Sequence, residues 1–238
     1  MTEQSTDHAV VPLRGIRGLT AKTMTASLQQ SAQVTLEAEI DATPLVEQRR
    51  HLQSEGLPVA YDDLVMRGVA LALRDHPRLN GLVVGDEVRV YSTINVAFAI
   101  ALPEGLVAPA IVNTDTKSFA ELVQGRQDLV VRAETNQLTV PEMTSGTFTI
   151  TNLGLYRVDH FTPVINPPQI AILGLGRIAP RPYATDDGRV EARPTLPLSL
   201  TFDHRAVDGA PAAAFLQALC ALLEEPAGIP DRPSPVQR

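Results

Sequence analysis

Apolar residues recur at helical spacing near the start of the chain and then change to alternation with polar residues. Over Gly15–Gln30 they fall near one face of a helix, so this segment is predicted to form an amphipathic helix. Residues 34–40 place apolar side chains at every second position, which predicts a half-buried strand. Two further helices are predicted over Thr43–Ser54 and Tyr61–Asp75, and Pro77 stops the second of them.

The middle of the chain contains two patterns typical of strands that turn back on themselves. Residues 82–90 are predicted to form a hairpin with its turn at Gly85 and Asp86. Residues 94–102 are almost wholly apolar or small, as expected of a strand covered on both faces. A turn at residues 103–105 is expected to lead into a returning strand over residues 107–112.

The second half of the chain continues with a helix, several strands and a final helix. Ser118 is predicted to cap a helix that ends near residue 135, because Glu121 completes a capping box. Later elements are predicted as strands over 146–152, 169–175 and 196–202 and as a last helix over 210–223. Helices and strands mix without regular alternation, so the sequence predicts an α+β domain.

The composition is that of an ordinary globular domain and argues against several classes of partner. The chain has 238 residues, of which 44% are hydrophobic and 20% charged. A net charge of −7 without a cluster of Lys or Arg argues against nucleic acid and anionic membranes. No apolar run approaches the roughly 20 residues needed to cross a bilayer. The first ten residues lack the features of a signal or transit peptide, and the single cysteine excludes an internal disulfide, so a cytoplasmic location is expected.

One histidine stands where a catalytic base would be well placed. His204 follows the predicted strand 196–202, and Asp208 and Gly209 come four and five positions later. A histidine at a strand exit can be held rigidly while it faces a cleft, which is what a general base requires. The glycine is expected to let the chain turn tightly into the last helix. On this pattern alone, a structural histidine is an equally good interpretation.

Five stretches of the sequence together resemble a known family. The run HRAVDG over residues 204–209 resembles the active-site motif of dihydrolipoamide acyltransferases, the E2 components of 2-oxoacid dehydrogenase complexes. Four others are similar to signatures of that family: VPLRGIR over 11–17 followed by Met24, PEGLVAP over 103–109, GTFTITNLG over 146–154 and NPPQIAILG over 166–174. All five occur in the family's order, which makes the resemblance specific over nearly the whole chain.

The resemblance implies a fold and an assembly. E2 catalytic domains resemble chloramphenicol acetyltransferase, a two-layer sandwich in which helices flank a mixed sheet. They form trimers with the active site between neighbouring subunits, and the trimers usually build a hollow cubic or dodecahedral core. Residues 10–228 are accordingly expected to form the catalytic domain, between a disordered N-terminal tail of residues 1–9 and a C-terminal tail of residues 229–238. No lipoyl or subunit-binding domain is recognised in the sequence.

The reaction implied by the resemblance moves an acyl group between coenzyme A and dihydrolipoamide, either free or carried on a lipoyl domain. His204 is expected to be the general base that takes the proton of the attacking thiol. In the family, a serine hydroxyl from the adjacent subunit stabilises the tetrahedral oxyanion, and the matching position here is Thr151. A threonine hydroxyl can donate the same hydrogen bond, although its methyl group restricts rotation. The alternative is a β-branched residue that merely favours the strand.

Other residues are expected to shape the site or to lie outside it. Asp208 either orients His204 as in a serine hydrolase or holds the loop by pairing with a cation, and the second role is favoured. Arg17 resembles the family's partner for this aspartate. Cys220 lies among leucines and is expected to pack in the core, whereas His160 is expected to be a plain loop residue. No Cys/His spacing typical of a metal site is present, so no metal is expected.

Two other functions are compatible with the sequence. A free-standing acyltransferase would apply the same chemistry to a non-lipoyl acceptor, and a non-catalytic multimeric scaffold core would hold partner enzymes without turnover. The intact His204 and Asp208 argue against the scaffold, whereas Thr151 and the missing lipoyl domain favour it. The expected partners are further copies of this chain in a homotrimer, acyl-CoA and lipoyl substrates, and components of a 2-oxoacid dehydrogenase complex.

Overall fold

The structure is a computed structural model that describes residues 8–103, 105–185 and 187–230. Its helices are α1 (Gly15–Gln30), α2 (Thr43–Ser54), α3 (Tyr61–Asp75), α4 (Phe119–Glu134), α5 (Val140–Thr144) and α6 (Gly209–Glu224). The first three have the predicted bounds. Ser118 caps α4 as predicted, and its hydroxyl accepts a hydrogen bond from the Glu121 N–H. No helix in the described ranges is long and apolar enough to cross a membrane.

The strands form one large mixed sheet and two hairpins. They are β1 (Gln33–Asp41), β2 (Gly81–Val84), β3 (Glu87–Val90), β4 (Val96–Phe98), β5 (Ile100–Leu102), β6 (Gly105–Val107), β7 (Ala110–Ile111), β8 (Phe148–Asn152), β9 (Ala171–Leu175), β10 (Ala179–Ala184) and β11 (Val190–Asp203). The large sheet has the order β1-β11-β9-β8-β4-β7, and β10 also pairs with β11. Strand β8 is parallel to β4 and β9, whereas the remaining pairs are antiparallel. Helices around a mixed sheet confirm the predicted α+β class.

The prediction of one buried strand over residues 94–102 was wrong. Val96–Phe98 is buried in the large sheet as β4, but the chain then leaves that sheet and pairs as β5 with β6. Ala101 in β5 is exposed. The predicted returning strand is likewise divided between β6 and β7. A run of small apolar residues is compatible with either sheet, so its composition does not reveal the point of transfer. The predicted turn includes Glu104, which lies outside the described residues.

Two elements were missing from the prediction. Helix α5 is only five residues long, too short for periodicity to report, although Thr139 and Glu142 form a capping box around it. Strand β10 and the first half of β11 contain Pro180, Pro182 and Pro194, which normally argue against sheet pairing. They pair outside the centre of the sheet, where proline is tolerated.

The two faces of the large sheet have different chemistry. On one face, Phe148 and Ile150 of β8 join the core, where α3 and α6 also pack. Thr149 and Thr151 alternate with them and point to the other face. The register aligns Thr149 with Ile172 and Thr151 with Gly174 on the neighbouring β9. The polar face continues on β11 through buried side chains, namely Ser199, Thr201 and Asp203.

The chain packs against the core beyond the end of α6. Ile229, which the sequence assigns to the C-terminal tail, is fully buried. Its carbonyl accepts a hydrogen bond from the buried guanidinium of Arg67, which also donates to the carbonyls of Thr114, Asp115 and Lys117. Arg67 therefore ties the end of the described chain to the turn before α4. Residues 231–238 of the predicted tail lie outside the described residues.

Candidate active site

His204 lies directly after β11, at the strand exit that the sequence predicted. Its backbone N–H donates to the carbonyl of Ala32 at 2.9 Å, which fixes the chain on the adjacent edge of the sheet. The imidazole packs beside the ring of Phe202, with 5.8 Å between ring centroids. The side chain is nevertheless 46% exposed. His204 thus combines a fixed backbone with ring nitrogens that a ligand can reach.

The buried carboxylate of Asp203 holds the chain on both sides of His204. It accepts hydrogen bonds from the backbone N–H groups of Ala32 and Arg205, at 3.2 and 3.0 Å. The guanidinium of Arg205 contacts it at 2.6 Å. Burial acts to raise the pKa of Asp203, but the hydrogen bonds from Arg205 and Ala32 outweigh it and lower the pKa overall. The sequence interpretation missed this residue, although an acid placed directly before the histidine was visible in the motif.

Asp208 does not form a hydrogen bond with His204. Its carboxylate lies 3.8 Å from Nδ1 of the imidazole, beyond hydrogen-bonding distance, and its side chain is 81% exposed. Gly209 begins α6 outside the left-handed backbone region, and a Cβ at this position would touch no other residue. Within this chain an alanine would fit at this position, so the turn into α6 does not require a glycine.

Thr151 faces a cavity of about 620 Å³ on the polar face of the sheet. The far walls of the cavity come from α1, the β5–β6 hairpin, the region of α5 and the loop over residues 161–166. Asn152 fixes the end of β8 next to Thr151: its amide donates to Asp62 at 2.6 Å, and its side-chain oxygen accepts from the Gly154 N–H. The Thr151 hydroxyl is thus held at the wall of a ligand-sized space.

A glycine lets an aromatic ring close one wall of this cavity. Phe161 packs directly over Gly174, where a Cβ would lie 2.8 Å from the ring. Nearby, the hydroxyl of Thr149 donates to the side-chain oxygen of Gln169 at 2.5 Å, and both residues are buried. The floor of the cavity is therefore a packed and hydrogen-bonded part of the sheet.

His204 and Thr151 are far apart within one chain. The register places Thr151 across two strands from Ser199, and His204 lies five residues beyond Ser199. Two strand spacings are about 10 Å and five residues of strand about 16 Å, so the two residues are roughly 19 Å apart. A single carbonyl group cannot touch both side chains at that distance.

Arg17 also lies far from the residue predicted to be its partner. The carbonyl of Ala32, just after α1, contacts His204, whereas Arg17 is near the start of α1. The helix rises roughly 20 Å between Arg17 and its last residue. Within the described residues, Arg17 makes no ion pair with Asp208. One chain therefore brings together His204 and Asp208, while Thr151 lies at the cavity and the exposed Arg17 lies on α1, outside the cavity wall.

The remaining candidate residues are remote from this chemistry. Cys220 is half-buried in α6, where burial and the neighbouring Glu224 raise the pKa of its thiol to about 11. This environment fits the predicted packing role. His160 lies in a loop, 3.8 Å from Glu37 and partly exposed. No group of three or more potential metal ligands occurs among the residues that the structure describes.

Comparison with known proteins gives a consistent set of similarities. The family model described as "2-oxoacid dehydrogenases acyltransferase (catalytic domain)" matches residues 5–229. The acetyltransferase component of the acetoin cleaving system of Bacillus subtilis is 38% identical over 92% of this chain and 56% of that protein. The succinyltransferase component of the Escherichia coli 2-oxoglutarate dehydrogenase complex is 33% identical over 91% of this chain and 54% of that protein. The chain spans about half the length of these curated relatives.

Solved structures show the same similarity. A probable dihydrolipoamide acetyltransferase from Listeria monocytogenes superposes with a TM-score of 0.87 at 32% identity, covering 97% of this chain and 99% of that one. The Azotobacter vinelandii dihydrolipoamide acetyltransferase, studied for the catalytic role of a serine, a histidine and an asparagine, gives a TM-score of 0.87 at 29% identity and 94% coverage of both chains. Chloramphenicol acetyltransferase, at 14% identity, 85% and 94% coverage and a TM-score of 0.57, confirms the predicted fold.

Proposed function

The chain belongs to the family of 2-oxoacid dehydrogenase acyltransferase catalytic domains, and on that premise we propose that it transfers an acyl group between coenzyme A and a dihydrolipoyl thiol. The observation that carries the proposal is the placement of His204: its backbone is fixed at a strand exit while its imidazole stays accessible. The thiol attacks the thioester carbonyl, the tetrahedral intermediate collapses, and the other thiol leaves.

His204 is the proposed general base. An ordinary thiol is only a few per cent ionised at pH 7, so its proton must be removed as the sulfur attacks. Imidazole is the side chain best suited to accept a proton near neutral pH. Nδ1 of His204 faces Asp208, so Nε2 is the nitrogen that takes the proton and later returns it to the leaving thiolate.

Thr151 is the proposed hydrogen-bond donor to the oxyanion. The thiol that attacks the same substrate is deprotonated by His204 of another subunit. The separation of roughly 19 Å within one chain supports this division, since the thiol that gives its proton to His204 attacks the same carbonyl whose oxygen Thr151 must contact. The proposed assembly is a homotrimer in which each interface joins the cavity of one subunit to the His204 of its neighbour.

Asp208 and Arg17 are proposed to shape the site. The distance of 3.8 Å between Asp208 and the imidazole favours a role in holding the interface over a catalytic triad. In the Azotobacter enzyme, the histidine and asparagine studied for catalysis are four positions apart, as His204 and Asp208 are here. An asparagine cannot supply a negative charge, which also favours a structural role for this position. Arg17 from a neighbouring subunit is the proposed cation for Asp208, and the open space at Gly209 leaves room for that contact.

Coenzyme A and the lipoyl group are proposed as substrates, with the lipoyl group either free or carried on a partner domain. The relatives are named as components of the acetoin cleaving system and of the 2-oxoglutarate dehydrogenase complex, so components of such a complex are the proposed partners. We also propose that the protein is cytoplasmic and that it uses no metal cofactor.

The test is an assay of the purified protein with dihydrolipoamide and acetyl-CoA. His204→Ala is expected to lower kcat by about 10²–10⁴-fold, the usual contribution of a general base. His160→Ala is the matched control, because His160 is an exposed loop histidine outside the site. Full activity in the His204→Ala protein would overturn the proposal.

A further inference from the structure

The cavity beside Thr151 offers no charged group to a ligand. Among the residues that the structure describes, its wall contains no Lys, Arg, His, Asp or Glu side chain. Glu104 lies outside the described residues, and as an acid it could not neutralise a bound anion. Most of the wall is apolar, and its lining includes Ile16, Met24, Leu102, Leu106, Phe161 and Ile172.

Two of the hydroxyl groups on the wall already donate hydrogen bonds within the protein. The hydroxyl of Thr149 donates its proton to Gln169, and the hydroxyl of Thr20 donates to the Ile16 carbonyl. Each of these hydroxyls has a single proton to donate, so neither can also solvate a bound carboxylate. A carboxylate that entered the cavity would lose its water without gaining a cation from the chain that forms the wall, which is strongly unfavourable. A neutral aliphatic chain gains from the same surroundings.

We infer that the acyl group taken by this cavity is an uncharged aliphatic one and that a dicarboxylic acyl group such as succinyl is rejected. The inference rests on the proposed acyltransferase function. Family membership does not decide the question, because the relatives include both an acetyltransferase and a succinyltransferase component.

The experiment compares two CoA thioesters of nearly the same shape. In isocaproyl-CoA, an isopropyl group replaces the terminal carboxylate of succinyl-CoA. Formation of the S-acyl-dihydrolipoamide is followed by chromatography with purified wild-type protein and free dihydrolipoamide. We expect kcat/KM to be at least about 100-fold higher for the isocaproyl group. Equal values, or a preference for succinyl, would overturn the inference and leave the proposed function intact.

A pair of variants on α1 tests whether the cavity itself makes the selection. Met24→Lys places a cation on the cavity wall, and it is expected to raise the succinyl-to-isocaproyl ratio of kcat/KM by at least about tenfold. Leu28→Lys is the control, one turn further along the same helix, exposed and outside the cavity. An unchanged ratio in Met24→Lys, or the same increase in both variants, would contradict the inference.

Binding provides a measurement that does not need turnover. If no acyl-CoA is turned over, the proposed function fails, and calorimetric binding of S-isocaproyl- and S-succinyl-dihydrolipoamide tests the cavity alone. Tighter binding of the isocaproyl form would support the inference, and equal affinities or tighter binding of the succinyl form would overturn it.

Discussion

Two variants that are each inactive alone are expected to regain acyltransferase activity when they assemble in the same oligomer. His204→Ala removes the proposed base, and Thr151→Val removes the hydroxyl at nearly constant side-chain volume. Loss of a single oxyanion donor typically lowers kcat by about 10²–10³-fold, so both variants should be nearly inactive alone. Because the two residues are roughly 19 Å apart within a chain, each site must combine one residue from each of two subunits.

The expected recovery follows from counting interfaces. A Thr151→Val subunit still has His204, and a His204→Ala subunit still has Thr151. In a random equal mixture, an interface therefore has a complete site only when the first kind of subunit supplies His204 and the second kind supplies Thr151, which occurs at about a quarter of the interfaces of a closed ring. Co-expression with two different affinity tags, followed by tandem purification and the dihydrolipoamide assay, measures this recovery after correction for the selected composition.

A second mixture makes the comparison sharper. Wild-type protein mixed equally with the double variant should retain about a quarter of the wild-type activity if sites are shared, and about half if each chain carries a complete site. Mixed oligomers of the single variants with no activity above that of either parent would refute the reasoning about a shared site.

Two further predictions concern Gly174 beside the cavity and the ion pair between Arg132 and Glu142. Gly174→Ala should push Phe161 away from the sheet, which should lower the free energy of unfolding by about 1–3 kcal/mol and raise KM for the acyl substrate. Gly125→Ala is the control: the nearest neighbour of a Cβ there is 3.9 Å away, so KM should be unchanged and stability unchanged or improved. Equal unfolding temperatures and kinetics for the two variants would contradict this prediction. Hydrogen bonds from Arg132 lower the pKa of Glu142 from 4.5 to about 2, so the stabilisation is fully present above pH 4.5 and is lost as the pH falls towards 2. The Tm difference between wild type and Arg132→Gln should therefore shrink over that interval, and a difference independent of pH would show that the ion pair is not its source.

Local signals in the sequence were sufficient for most of the helices. The bounds of α1, α2 and α3 follow from periodicity and from a stop at Pro77, and the start of α4 follows from the Ser118 capping box. These features depend on residues within a few positions of one another, so a single sequence reveals them.

Long-range contacts were the part that the sequence could not reveal. The carboxylate of Asp203 fixes the chain where it leaves β11 just before His204. It does so by accepting a hydrogen bond from the N–H of Ala32, which is 171 positions away in the chain. The cavity likewise exists because α1 lies across the polar face of the sheet, opposite Thr151. The motifs indicated His204 and Thr151 as candidates, but only the strand register shows that they cannot meet within one chain.

Alternate side chains of β8 point to the core and to the cavity face, so folding and ligand contact depend on different positions of one short strand. Phe148 and Ile150 determine how well the domain folds, whereas Thr151 determines what a ligand meets. A change at Thr151 leaves the volume of the core unaltered, whereas a change at the buried Thr149 would break its hydrogen bond with Gln169. The strand therefore separates selection on folding, which acts at Phe148, Thr149 and Ile150, from selection on the ligand, which acts at Thr151.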